Sequence, residues 1–528
     1  MESPIDEKPR ESFDSDHDQQ HNTHANENNV GLERTKSLEK QVSLPREILV
    51  IGVICLAQFT TQMGLGQTLS ILHVIGRSFD IENPGILSWL IAGYSLTVGS
   101  FVLFSGRLGD LFGYKRMLVI GYCWFAIWSL VAGLSVYSNH VLFVFARVFQ
   151  GIGPSICLPN GLALLGALYE PGKRKNMAFA MFGACAPGGC IFGALFAGLW
   201  SLAWWPWTFW SFAIALAIIA AVGAVIIPDP QTNLTYRGKT LMQTLEEMDI
   251  LGAAVGITGL ILFNFAWNQA PIVGWGTYVI APLVLGIVFI VSFFYIEVKV
   301  SAYPLIPFDV LTGDNAFVLG CVCCGWSCFG VWIYYLWQQL EVLRGTSPLL
   351  ATAYLSPLAI SGACAAVTTG FLLSRLRPAW VMFFAMLAFL VGTILVATAP
   401  VHQIYWAQIF VCTLVIPWGM DMSFPAGTLV VSNSVNKEHQ GVAASLVNTI
   451  VNYSISIALG FAGTVEVNVN RGGHTGSETL HGYRGALYMG IGLAGLGVFL
   501  SILFLLKGYL RDSHREQKEV DVESKEAA

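Results

Sequence analysis

The sequence predicts an all-α integral membrane protein with fourteen transmembrane helices, and three observations carry that reading. Of its 528 residues, 55% are hydrophobic and only 12% charged. A soluble domain carries about 25% charged residues, so too little polar surface is left to cover a water-soluble globule. The apolar residues gather in runs long enough to cross the hydrocarbon core, which takes about 20 residues of helix. Polar loops, mostly short, separate these runs, and the basic residues concentrate on alternate loops.

In chain order, candidate spans lie near 48–70, 86–105, 117–137, 140–165, 177–199, 208–227, 248–268, 277–297, 315–338, 350–373, 379–399, 405–429, 441–464 and 485–507. Residues 1–46 are rich in Asp, Glu, His, Asn and Gln, carry no signal-peptide pattern and read as a disordered tail. The first apolar helix therefore stays in the chain as a span. An even count puts both termini on one side of the membrane. If that side is the cytoplasm, the short inner loops carry Arg107, Lys115, Arg116, Lys173, Arg174, Lys175, Arg237, Lys239, Lys299, Arg375, Arg377 and Lys437, and the opposite side only Arg77, Arg344, Arg471 and Arg484. The excess of basic residues inside gives the orientation. The Asn233 sequon then faces the cytoplasm and should be unmodified. The 11 cysteines, among them Cys55, Cys321, Cys324 and Cys412, fall in apolar runs and read as small packing residues rather than bridges or metal ligands.

The stretch 229–247 is the clearest internal linker. It divides the chain into an N-tail at 1–46, a six-helix bundle at 47–228, a linker with an inserted two-helix hairpin at 229–300, a second six-helix bundle at 301–508 and a C-tail at 509–528. Transporters built from parallel repeats place their substrate site between the halves, near the midplane.

Four strings stand out. Between the second and third spans runs Gly106-Arg107-Leu108-Gly109-Asp110-Leu111-Phe112-Gly113-Tyr114-Lys115-Arg116. The positive-inside rule accounts for Lys115 and Arg116, but not for three spaced glycines and an aspartate, which suit a tight turn and a helix N-terminus. A degenerate counterpart, Gly370 through Arg375, Arg377 and Pro378, occupies the matching loop of the second half. The fourth span holds Arg147, Gln150, Gly151, Gly153, Pro154 and then Asn160. An arginine within a span is costly and by default functional, the alternative being a structural or snorkelling arginine paired to backbone carbonyls. In the fifth span Gly183, Pro187, Gly188, Gly189 and Gly193 form a small-residue stripe with a kink-prone proline. On the physics alone that stripe indicates packing.

The first string resembles the signature loop of the major facilitator superfamily, in which it latches the two halves at the cytoplasmic face. Arg147 and its neighbours resemble that family's fourth-helix motif, linked to proton coupling. The Pro187-Gly188-Gly189 arrangement resembles the antiporter motif of drug:proton exchangers. Together with the fourteen spans, these features are similar to the fourteen-spanner drug:proton antiporter family over roughly residues 48–507. Gly64 through Thr68, Trp418 through Pro425 and Asn448 through Ser454 resemble its fungal branch named for aminotriazole resistance, with borate exporters and low-affinity ammonium transporters among its relatives. The resemblance implies a major facilitator fold of two six-helix bundles with an inserted hairpin, whose cavity is lined by spans one, four, nine and twelve.

The polar residues fall largely on those four spans. They include Gln58, Gln62, Gln67 and Thr68 on span one and Arg147, Gln150 and Asn160 on span four. Span nine carries Trp326, Tyr334, Tyr335, Gln338 and Gln339, and span twelve Trp418 and Asp421. Facing lipid they would be unsatisfied, so they should point into protein or a wet cavity. Asp421 reads as the only acid well inside a span, flanked by Pro417, Gly419 and Pro425. A carboxylate in low dielectric can carry and release a proton near neutral pH, so Asp421 is the expected proton carrier, biased by Arg147 or by substrate. The alternative is a structural partner to a neighbouring helix. Relatives in the drug-exporting group usually carry an aspartate in the first helix where this chain has glutamines, which keeps uniport open. Glu170 and Glu297 lie at cytoplasmic helix ends and read as solvated.

The expected function is proton-coupled efflux of small toxic or drug-like compounds, the span-nine aromatics serving either as a cation–π wall or as packing. A low-affinity carrier of ammonium or borate is the alternative, and a non-transporting nutrient sensor the second. No nucleophile–base arrangement, metal-ligand spacing or phosphate-binding loop is visible. An enzyme, an ATP-driven pump, cofactors and nucleic-acid partners are therefore not expected. The expected partners are a small-molecule substrate, protons and the lipid bilayer, with the chain a monomer in the plasma membrane, or alternatively the vacuolar membrane.

Overall fold

The structure is a computed structural model that describes residues 43–526 except 82, 170–172, 229–239, 307–312, 435–439 and 474. The N-tail up to residue 42, the Asn233 sequon, Glu170, Arg237, Lys239 and Lys437 lie outside the described residues. Among those described, fourteen helices are long and apolar enough to cross a membrane. They are α1 (Leu44–Ser70), α2 (Gly85–Phe112), α3 (Tyr114–Tyr137), α4 (His140–Leu168), α5 (Met177–Ser201), α6 (Trp207–Ile226), α7 (Met242–Val273), α8 (Thr277–Lys299), α9 (Asp314–Leu343), α10 (Pro348–Leu373), α11 (Pro378–Thr398), α12 (Gln408–Asn433), α13 (Ser445–Asn470) and α14 (Gly476–Arg511). No strand occurs among the described residues.

Local chemistry sets the helix ends. Asn83 accepts from Gly85 N at 2.8 Å ahead of α2, and Asn139 from Leu142 N at 3.0 Å ahead of α4, each satisfying an amide that the first turn leaves orphaned. Gly113 alone separates α2 from α3; its φ of 97° suits glycine and few other residues. The last helix runs on to Glu526, beyond the apolar part of α14, and Lys507 and Arg511 pair with Asp314 at 3.0 and 3.1 Å.

The helices pack in two like sets. In the first, α1 lies on α5, α2 on α4, and α3 on both α4 and α6; in the second, α9 lies on α13, α10 on α12, and α11 on both α12 and α14. The sets meet along two related seams, α2 with α13 and α5 with α10. Close approach needs small residues: a Cβ at Gly99 would collide with the Tyr453 backbone, and one at Gly193 with the Met63 carbonyl. The hairpin α7–α8 lies outside both sets, with α7 against α2 and α13. Its polar residues stitch it down. Asn268 donates to the Ser456 carbonyl at 3.3 Å, Ser456 donates to Asn264 at 3.1 Å and contacts the Ala92 carbonyl at 3.0 Å, and the Tyr453 hydroxyl reaches the Leu260 carbonyl at 2.9 Å. Helix α8 is the most peripheral, with 17% of its apolar window buried against 78% for α9. Its exposed Ile280, Val284, Ile287, Val288 and Val291 recur at helical spacing, which makes one lipid-facing stripe.

Candidate functional site

Arg147 is wholly buried on α4. Its Nε donates to the Leu90 carbonyl at 3.1 Å, Nη2 to the Gly64 carbonyl at 2.9 Å and Nη1 to Gln150 Oε1, and the guanidinium lies 4.4 Å from the Tyr94 ring centre. Gln150 passes its own amide to Ser129 at 2.6 Å, and the Tyr94 hydroxyl donates to the Thr61 carbonyl at 2.8 Å. One buried cation thus ties α1, α2 and α4 together. Asn160, lower on α4, donates to the carbonyls of Ser105 and Ile156 and packs against Gly109 of the signature loop.

On α1 the polar groups are buried and less well met. Gln62 is 7% exposed and Gln67 1%, and neither polar atom of Gln67 has a hydrogen-bond partner; Thr68 Oγ1 and Gln58 Oε1 share that condition.

Asp421 is buried on α12, and its Oδ2 has no hydrogen-bond partner. The carboxyl sits at a three-helix junction: a Cβ at Gly362 of α10 would lie 2.9 Å from Oδ2 and 2.8 Å from Pro187 Cβ of α5. The kink-prone proline of the fifth-span motif is therefore the neighbour of the buried acid across the seam. Of the remaining motif glycines, Gly189 and Gly193 take the α1 backbone at Phe59 and Met63, a Cβ at Gly188 would lie 3.9 Å from the Phe59 ring, and one at Gly183 would meet nothing within 4 Å.

The span-nine residues divide. Gln338 meets His73 Nε2 at 2.7 Å, joining the two sets at the end opposite the signature loop. Trp326 donates to Ser423 at 3.2 Å within the second set, and Tyr335 donates to Glu466 at 2.7 Å, its ring edge near Tyr334. Trp418 is half-buried. At the signature loop, Gly106 abuts Ser445 of α13, Arg107 donates to the Glu247 carbonyl at 2.7 Å and lies 6.0 Å from the Tyr303 ring, and Asp110 accepts from Tyr114 at 2.7 Å. Lys115 is half-buried and Arg116 exposed.

The sequence profile of the Major Facilitator Superfamily matches residues 54–460 and 316–526. The chain belongs to the Major Facilitator Superfamily. It is 55% identical to a low affinity ammonium transporter of Saccharomyces cerevisiae, covering 90% of this chain and 92% of that one. It is 44% identical to an efflux pump of Aspergillus terreus over 88% of each chain, and 39% identical to the aminotriazole resistance protein of S. cerevisiae over 88% and 85%. The solved structure of a nucleoside transporter superposes with a TM-score of 0.51 at 14% identity, over 86% of this chain and 99% of that one, which establishes the fold. These relatives are transporters, and the resemblance to the aminotriazole-resistance branch holds. The chain is a multi-pass major facilitator and not an enzyme.

Within this major facilitator, several groups escaped the sequence reading. Glu297, read as solvated, is 2% exposed and accepts from Ile306 N at 3.2 Å, because the chain after α8 folds back over it. Asp421 is not alone in the helices. Span nine continues through a π-helical turn, Gln339–Leu343, which brings in Glu341, and α13 continues to Asn470, which brings in Glu466. His73 lies on the short helix Leu72–Ser78, past the end of the first apolar run. The signal for Glu341 and His73 was their proximity in sequence to Gln338 and Gln67, one or two helical turns away on polar faces.

Proposed function

We propose that the chain exports small toxic or drug-like compounds in exchange for protons, as a monomer in the plasma membrane with both termini in the cytoplasm. The observation that carries this reading is the unpartnered Asp421 Oδ2 buried against Pro187 on the seam between the two helix sets. A carboxyl group there can bind a proton from one side and lose it to the other as α5 slides on α10, because the proline ring and the glycine beside it offer Oδ2 no hydrogen-bond donor. Arg147 contributes by fixing the α1 segment that presents Gln62 and Gln67 to the cargo. The efflux pump among the relatives supports export. A second reading has its own support: the relative at 55% identity is named for ammonium, and a glutamine-lined path suits a small polar solute.

The test is flux in sealed vesicles under an imposed pH gradient, with ammonium, borate and a panel of cationic drugs. The wild type should move at least one cargo in proportion to the gradient. Asp421→Asn should reach the membrane, melt normally and lose the gradient-driven component by at least tenfold. Flux indifferent to the gradient for every cargo would remove proton exchange and favour facilitated transport.

A further inference from the structure

A second acid site lies in the hairpin, away from the seam. Asp249 caps α7 in the left-handed conformation (φ 45°, ψ 54°), its Oδ1 accepting from Gly252 N at 3.1 Å. Glu297, near the end of α8, accepts from Ile306 N at 3.2 Å through Oε2. Each carboxylate spends one oxygen on a backbone amide. The other two oxygens, Asp249 Oδ2 and Glu297 Oε1, are buried without a donor, and the two side chains lie within hydrogen-bonding reach of each other. Asp249 is 6% exposed and Glu297 2%.

Two carboxylates this close and this buried oppose each other's charge, and sharing one proton removes that opposition. Among the described residues neither carboxylate has a salt bridge. Arg107 is engaged with the Glu247 carbonyl and lies over Tyr303, while Glu246 and Lys299 are exposed. We propose that Asp249 and Glu297 form a proton-binding site in which one proton bridges Oδ2 and Oε1. The bound proton completes a polar clasp. Through Glu297 the clasp holds the chain at Leu305 and Ile306, both buried, and through Asp249 it holds the start of α7. Arg107 of the signature loop grips the same corner two residues before Asp249, at Glu247. The site therefore joins the hairpin, the signature loop and the approach to the second helix set, and it is distinct from Asp421.

The test needs no cargo, so it stands or falls separately from the transport reading. The protein is placed in lipid nanodiscs in an Asp421→Asn background and titrated with pH while the infrared carboxyl band is followed. The parent should show a protonated-carboxyl stretch at neutral pH that disappears on raising the pH. Glu297→Gln and Asp249→Asn should each remove the same component of that band, leaving any part that Glu341 or Glu466 contributes, because an amide donor replaces the proton, and each should keep a thermal transition within a few degrees of the parent. An undiminished band in both variants would overturn the proposal. So would a band that sodium or potassium erases at constant pH, since a metal cation would then be the bridging ligand. Should Glu297→Gln fail to fold, Asp249→Asn alone decides by the same two readings.

Discussion

At the scale of single residues, ionisable groups inside apolar runs declare themselves, and Arg147 and Asp421 did. What the sequence could not supply was their partners. Arg147 donates to Gly64 and Leu90 carbonyls on two other helices, and its fork geometry is what lets one side chain serve both. Arg147→Lys keeps the charge and loses the fork. Stranding one buried carbonyl costs about 1–3 kcal/mol, so the variant should melt several degrees lower and lose flux by a similar factor at every pH. An unchanged melting temperature with a displaced pH profile would instead make Arg147 a direct participant in proton transfer. Glu297 shows the converse failure. It lies at a helix end, where water is the default partner, and only the fold-back of Leu305 and Ile306 buries it. Burial at helix ends depends on how the neighbouring chain lies, which residue periodicity does not record.

At the scale of elements, all fourteen spans were legible, because apolar length is what a bilayer demands of a helix. Their ends were less so. Polar side chains continue α9 to Leu343 and α13 to Asn470, and hydropathy falls before the helix stops. The fifth-span stripe was legible as packing, but which glycines pack was not. A Cβ at Gly193 would meet the Met63 carbonyl of α1, whereas one at Gly183 would meet nothing within 4 Å. Gly193→Leu should therefore force α1 and α5 apart at a cost of about 1–3 kcal/mol or more, lowering both melting temperature and flux. Gly183→Leu should stay within about 0.5 kcal/mol of the parent. Equal effects in a thermal-shift assay would mean that the stripe acts as a unit rather than through these particular contacts.

At the scale of the whole molecule, the two helix sets share the seams α2–α13 and α5–α10 and touch at both ends of the path. At the signature-loop end Gly106 abuts Ser445, and at the other His73 meets Gln338 at 2.7 Å. Seams of small residues let helices slide with little side-chain interlocking, while a lone hydrogen bond between neutral groups is worth only about 1 kcal/mol. The His73–Gln338 contact is thus strong enough to define a closed end and weak enough to open at each cycle. Gln338 was expected to line the cavity; that it meets His73 between the two sets was not legible, because His73 lies outside the apolar run. Alternating exposure of a site between such bundles requires this end to part. Replacing His73 and Gln338 by cysteines, with exposed Cys123, Cys323 and Cys364 first changed to alanine, allows a short bis-methanethiosulfonate reagent, which forms a reducible disulfide with each thiol by releasing sulfinate, to bridge the gap. Bridged protein should lose at least nine-tenths of its vesicle flux and regain it on reduction, while either single cysteine variant should be insensitive to the reagent. Full flux through the bridged protein would show that the two sets need not separate at this end.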